Sequence, residues 1–199
     1  MDTILHAGKF VSLKQIEGDG YKYEYSHESR CDGQIVAVLP VSLNHGMLIR
    51  RELTPCWGEG YKLTSITGGW EKSKHATPID TVLAELREEA GVVLNDETCV
   101  RSLGTCRGGK SSDTLYHLFL VDLSDENLWE QVLPETDGSV LEAKEYSEWV
   151  DIPFALDGNL PAPEDSKWLE ESPDPLLYVM YTRWMIGRLH KPVSREDYA

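Results

Sequence analysis

The sequence predicts an α/β fold, a mixed β-sheet with helices on both faces, and three observations predict it. Short apolar, β-branched runs flank one strongly amphipathic helical segment, and a second helical segment closes the pattern. Apolar residues form 41% of the 199-residue chain, which includes six Trp and nine Tyr, enough for the core of one domain. No internal repeat interrupts this order.

Residues 8–30 alternate loosely and read as strand, with Tyr21, Tyr23 and Tyr25 on one face. The turn signals Gly18-Asp-Gly20 and Asp32-Gly33 bracket them. Ile35–Leu43 is an apolar buried strand, and Met47–Ile49 begins the next after the turn Asn44-His-Gly46. Pro55–Gly60 is a loop, and Tyr61–Thr67 a short strand ending at Gly68-Gly69. Thr77-Pro78 opens a helix, because Thr caps and Pro at the first position lacks only a donor that no helical carbonyl would meet. Ile79, Val82, Leu83, Leu86 and Ala90 recur at helical spacing, and Gly91 ends the helix. Strand character returns over 93–103, followed by a Gly/Ser-rich loop, Gly104–Asp113, and a strongly apolar strand, Leu115–Leu123. Residues 125–138 are acidic and turn-rich. Ala143–Ile152 reads as the last strand, 157–175 as a long proline-rich loop, and Leu176–Leu189 as the final helix. His117 reads as a satisfied strand residue, and Trp168, Tyr181 and Trp184 as core or interface.

The chain carries 19 basic and 34 acidic residues, a formal charge of −15. That charge repels a polyphosphate backbone and argues against a nucleic-acid polymer as partner. A small phosphorylated ligand stays compatible, because a divalent cation reverses the sign locally. Cys31, Cys56, Cys99 and Cys106 form no C-x-x-C pair and read as reduced thiols of a cytoplasmic protein without a zinc site. No apolar run reaches membrane-spanning length, so no membrane is expected.

Chemistry concentrates on one helical turn. At about 100° per residue, Glu85, Glu88 and Glu89 fall within an arc of roughly 100°. They crowd like charges at the helix end where the dipole disfavours them. A solvated acidic face partly neutralised by Arg87 explains such a pattern; so does a bound divalent cation, Mg²⁺ or Mn²⁺, for which carboxylate oxygens are the natural ligands.

The stretch Gly68–Val92 resembles the signature of Nudix hydrolases, Gly-x5-Glu-x7-Arg-Glu-U-x-Glu-Glu-x-Gly-U with U aliphatic. Glu85, Leu86, Glu88, Glu89, Gly91 and Val92 occupy its second half, and Gly68-Gly69 its glycine turn. The signature Arg falls on Ala84 and the preceding Glu on Ala76, with one extra residue between Gly69 and Ala76. The segments Gln34–Arg50, Gly108–Leu120, Glu148–Pro153 and Leu176–Leu189 are similar to the ADP-ribose pyrophosphatase branch. The resemblance implies a Nudix-like α/β/α sandwich with a mixed β-sheet, an N-terminal strand region over 1–33 that forms a homodimer, and a catalytic domain over 34–199. It further implies hydrolysis of a nucleoside diphosphate linked to another group, ADP-ribose first among them, with Mg²⁺ or Mn²⁺ as cofactor. Alternatives are another nucleotide sugar, a dinucleoside polyphosphate, or a nucleotide-sensing domain of the same fold with little or no catalysis. A domain that presents its acidic face to a basic protein is a third reading.

On this resemblance the metal ligands are Glu85, Glu88, Glu89 and the carbonyl of Gly68, with Glu88 also orienting water. The general base is Glu142, or second Glu145. Arg50, Arg51 and Lys110 are the candidates for substrate contact, with Arg107 a further cation. Tyr21, Tyr23, Tyr25 or Trp57 would stack on a base, although packing is the expected role of at least two of the three Tyr.

Overall fold

The computed structural model describes residues 2–135, 144–152, 168 and 171–187. Three strands, β1 (Thr3–Ala7), β2 (Val11–Gly18) and β3 (Tyr21–Glu28), form an antiparallel sheet of their own. The turns at Gly18-Asp-Gly20 and Asp32-Gly33 bracket β3, the tyrosine-bearing strand, and the first of them joins it to β2. Tyr25 is 6% exposed, but Tyr21 and Tyr23 are 58% and 42% exposed, so one tyrosine of the three packs, not two. This sheet is tied to the rest by backbone bonds from Ser26 N–H to Ser111 and from Asp113 N–H to Ser26. His27 Nδ1 also lies 2.8 Å from the Asp113 carboxylate.

The main sheet contains β4 (Gln34–Ser42), β5 (Gly46–Glu52), β6 (Lys62–Thr64), β7 (Ile66–Gly69), β9 (Val100–Arg107), β10 (Leu115–Asp122) and β12 (Tyr146–Val150). Its order is β12-β5-β4-β10-β9, with β6 on β5 and β7 on β4. It is mixed: β10 runs parallel to β4, and the other neighbours are antiparallel. Pro40, inside the central strand, sits where β4 passes from pairing with β7 at Val38 to pairing with β5 at Val41. A missing donor is tolerated at such a gap. Two short strands, β8 (Val92–Leu94) and β11 (Trp129–Gln131), pair separately.

Strand parity sorts the core into two layers. Val36, Val38, Phe119 and Val121 point to one face, where they meet Ile79, Val82 and Leu86 of helix α1 (Pro78–Ala90). Ala37, Leu39, Leu118 and Leu120 point to the other, against Leu177, Met180 and Tyr181 of helix α2 (Pro175–Ile186). Helices thus cover both faces, and Trp168 and Tyr181 are core. His117 is the satisfied strand residue expected: its Nε2 meets the Gln34 side chain at 2.9 Å, and burial holds its pKa below the ordinary value.

The run Tyr61–Thr67 is two strands rather than one, with the break at Ser65. The Asp174 carboxylate there accepts from Ser65 N–H at 2.7 Å and Ser65 Oγ at 2.6 Å. It also caps α2 through Leu176 N–H at 2.8 Å. The region 93–103 divides likewise, into β8 and β9, around a short 3₁₀ turn at Glu97–Cys99. No helix among the described residues is long and apolar enough to cross a membrane.

Candidate metal and phosphate site

Helix α1 brings the glutamates to the sheet. Its start is a complete capping box: Thr77 Oγ accepts from Asp80 N–H, and the Asp80 carboxylate accepts from Thr77 N–H. Its apolar stripe docks on the β4–β10 layer, with Leu86 fully buried between Glu85 and the Glu88–Glu89 pair. Gly91 ends it in the left-handed conformation, φ 63°. Glu85, Glu88 and Glu89 therefore line one cavity of about 340 Å³, with Glu85 and Glu89 half-buried and Glu88 exposed.

Gly68 of β7 forms the opposite wall. A side chain there would collide with Glu85, since a Cβ would stand 1.7 Å from its Oε1 and 2.4 Å from its Cγ. The Glu85 carboxylate thus lies directly on the Gly68 backbone, which only glycine permits. At Gly69 a Cβ would meet Cys31 Cβ at 3.2 Å and the Arg30 guanidinium at 3.3 Å. The double glycine seats an acid beside one residue and a base beside the next.

Arg50 of β5 has the parity of Leu48 and faces α1; Arg51 has the parity of Met47 and Ile49 and faces away. The Arg50 side chain is 7% exposed. It donates to the Glu89 carbonyl at 3.1 Å and to the Glu145 carboxylate at 3.1 Å, and lies 3.6 Å from a Glu89 carboxylate oxygen. Ser147 Oγ donates to the same Glu89 carbonyl at 3.0 Å. Gln131 donates to the carbonyls of Ala90, the last helical residue, and Gly91, just past it, at 2.9 and 3.0 Å.

Not every sequence candidate arrives here. Gly68, Glu85, Glu88, Glu89, Arg50 and Glu145 line the cavity. Arg51 does not; it pairs with Glu148 on the other side of the strand. Lys110 does not either; it lies in the β9–β10 loop, where its carbonyl accepts from Tyr23. Glu142 falls outside the described residues. Glu145 is held on both oxygens, by Leu53 N–H at 2.9 Å and by Arg50, and its side chain is 5% exposed. Arg107 and Trp57 line a second cavity, of about 580 Å³, behind β7, which meets the first at Thr67. Glu52 lines that cavity too, with desolvation pushing its carboxyl above the usual range.

Sequence reading missed Arg30, Gln131 and Ser147. Each is brought in by strand pairing or a loop crossing far along the chain, so no local spacing marks it. Ser147, for example, is the register partner of Arg50.

The donor set suits a hard divalent cation. The cavity wall carries Glu85, Glu88, Glu89, Glu135 and Glu145 against Arg30 and Arg50, an excess of carboxylate oxygen that a cation would neutralise. The glycine cradle places Glu85 beside the Gly68 backbone. As they stand, however, the three glutamates share the cavity without closing into a cluster. Among the described residues no group of three Asp, Glu, His or Cys is drawn together tightly enough to hold an ion. Glu89 is held by Arg50 on the β5 side of the cavity, and Glu85 rests on β7.

No protein-family model matches the chain, and no curated protein matches it in sequence. Solved structures do. The chain is similar to an ADP compounds hydrolase with a TM-score of 0.61 and 15% identity, over 95% of this chain and 94% of that one. It is similar to a NUDIX hydrolase from Nitrosomonas europaea with a TM-score of 0.52 and 17% identity, over 83% of this chain and 94% of that one. The fold is therefore that of the Nudix hydrolases, an α/β/α sandwich on a mixed sheet.

Proposed function

We propose that the chain is a metal-dependent hydrolase of a nucleoside diphosphate linked to another group, with ADP-ribose, cut to AMP and ribose 5-phosphate, the first substrate to try. One observation carries this reading: Glu85, Glu88 and Glu89 face a single cavity whose far wall, Gly68, is shaped to receive Glu85. Glu85, Glu89 and the Gly68 carbonyl would hold Mg²⁺ or Mn²⁺, with Glu88 as a further ligand. The bound ion would neutralise the diphosphate and lower the pKa of an attacking water. Arg30, about half exposed at the cavity wall, is the cation for a phosphate oxygen. Proton acceptance falls to Glu88, with Glu142 the other candidate. Glu145, engaged on both oxygens, is better suited to hold Arg50 in place.

A panel of ADP-ribose, nucleotide sugars, dinucleoside polyphosphates and nucleoside triphosphates with Mg²⁺ tests the reading, with product identification. Turnover of one class names the leaving group; no turnover of any removes the enzyme. A non-catalytic nucleotide sensor is the second reading, motivated by Ala76 and Ala84 where the signature has Glu and Arg. Glu89→Gln separates the two. An enzyme loses its turnover with the fold intact, whereas a sensor has none to lose and keeps its thermal shift with nucleotide. The expected homodimer is supported by Ile4, Leu5, Val11 and Leu13, all exposed on β1 and β2. Light scattering at the mass of a monomer would remove it.

A further inference from the structure

We infer that Arg50 is the positioning residue of the metal site: a guanidinium from the sheet that sets the position of Glu89 and so the ion affinity of the whole turn. The inference rests on the metal-dependent reading above.

The helix has a problem at this end. Glu85, Glu88 and Glu89 place negative charge where the dipole is already negative and the last carbonyls lack helical donors. The helix's own arginine is engaged elsewhere: Arg87 pairs with Glu135, an exposed carboxylate of the cavity wall, at 2.7 Å. Position 84, one turn back, is alanine. Arg50 approaches from β5 instead and addresses both deficits with one group, the backbone through the Glu89 carbonyl and the charge through the Glu89 carboxylate. Its fork is planar and almost fully buried, so it fixes a direction as well as supplying a charge. Glu145 anchors the fork from behind, and Leu53 N–H anchors Glu145. The chain Leu53–Glu145–Arg50–Glu89 thus runs from the β5 end to the cavity wall. An outer partner that orients a ligating carboxylate typically governs metal affinity by about 10- to 100-fold.

The test is a Mn²⁺ titration of the full chain read by the electron paramagnetic resonance of free Mn²⁺, beside a thermal melt. Arg50→Lys keeps a charge but not the fork, and is expected to weaken Mn²⁺ binding about tenfold. Arg50→Met removes the charge but leaves Glu145 buried without its guanidinium, which endangers the fold. The double variant Arg50→Met, Glu145→Gln avoids that and is expected to fold and to bind Mn²⁺ about 10- to 100-fold more weakly. Wild-type or tighter Mn²⁺ affinity in Arg50→Lys and the double variant, whatever their melting temperatures, would overturn the inference and leave Arg50 a structural partner of Glu89 or a competitor for it. A wild-type chain that binds no Mn²⁺ at millimolar levels would overturn the metal reading itself, and this inference with it.

Discussion

The two ends of α1 are stabilised by opposite means. At the start, Thr77, Pro78 and Asp80 form the cap among themselves, within four consecutive residues. At the finish, the groups that meet the helix come from elsewhere: Arg50, Gln131 and Ser147 lie 39, 41 and 58 residues away from the carbonyls they bond. The self-sufficient end carries no candidate ligand; the dependent end carries all three glutamates. A helix terminus that needs only to be stable can be written locally. One that must hold like charges together has to borrow its partners from the sheet.

Substitutions along the helix can break that division. Glu85→Gln should have the largest effect, lowering turnover by more than about 100-fold, beyond what loss of an outer partner costs, with little change in urea unfolding. A parallel fall in stability would make the C-terminal end structural and erase the contrast. Gly68→Ala should follow, with about 10- to 100-fold weaker Mn²⁺ binding, because the methyl displaces Glu85 from its seat. Unchanged affinity would mean that Glu85 need not lie there. Thr77→Ala should cost about 1 kcal/mol in denaturant unfolding and leave kcat unaltered, since it touches only the self-contained end. Arg51→Ala should do least, well under about 1 kcal/mol, because its pair with Glu148 is about a third exposed. An effect on metal binding from Arg51 would contradict the strand parity that turns it away from α1.

The same contrast explains what could be read in advance. The helix from Thr77 to Gly91 is visible in the sequence because its cap, stripe and stop are all local signals. So are β4 and β10, whose apolar runs are long. The subdivision of 61–67 was not legible, because the break at Ser65 is made by Asp174, and that partner leaves no mark on the residues around 65. The candidate ligands were legible as a helical turn, but their environment was not. Arg50 and Arg51 are adjacent and alike in sequence, and only the register of β5 against β4 and β12 decides which one meets Glu89. Arg30 carries no local signal, because its place beside Gly69 follows from the pairing of β4 with β7, which sets Ile35 opposite Gly69.

The Asp174 carboxylate that breaks the strand at Ser65 also has a consequence in time. Ser65 and Asp174 are 109 residues apart, and Ser172 bonds the Leu63 carbonyl across the same distance. During synthesis β7 emerges with β4 already present to pair with, but the corner at Leu63–Ser65 waits for Ser172 and Asp174 until the following strands are made. The corner just before the wall that receives Glu85 can therefore be completed only when the start of α2 has been made.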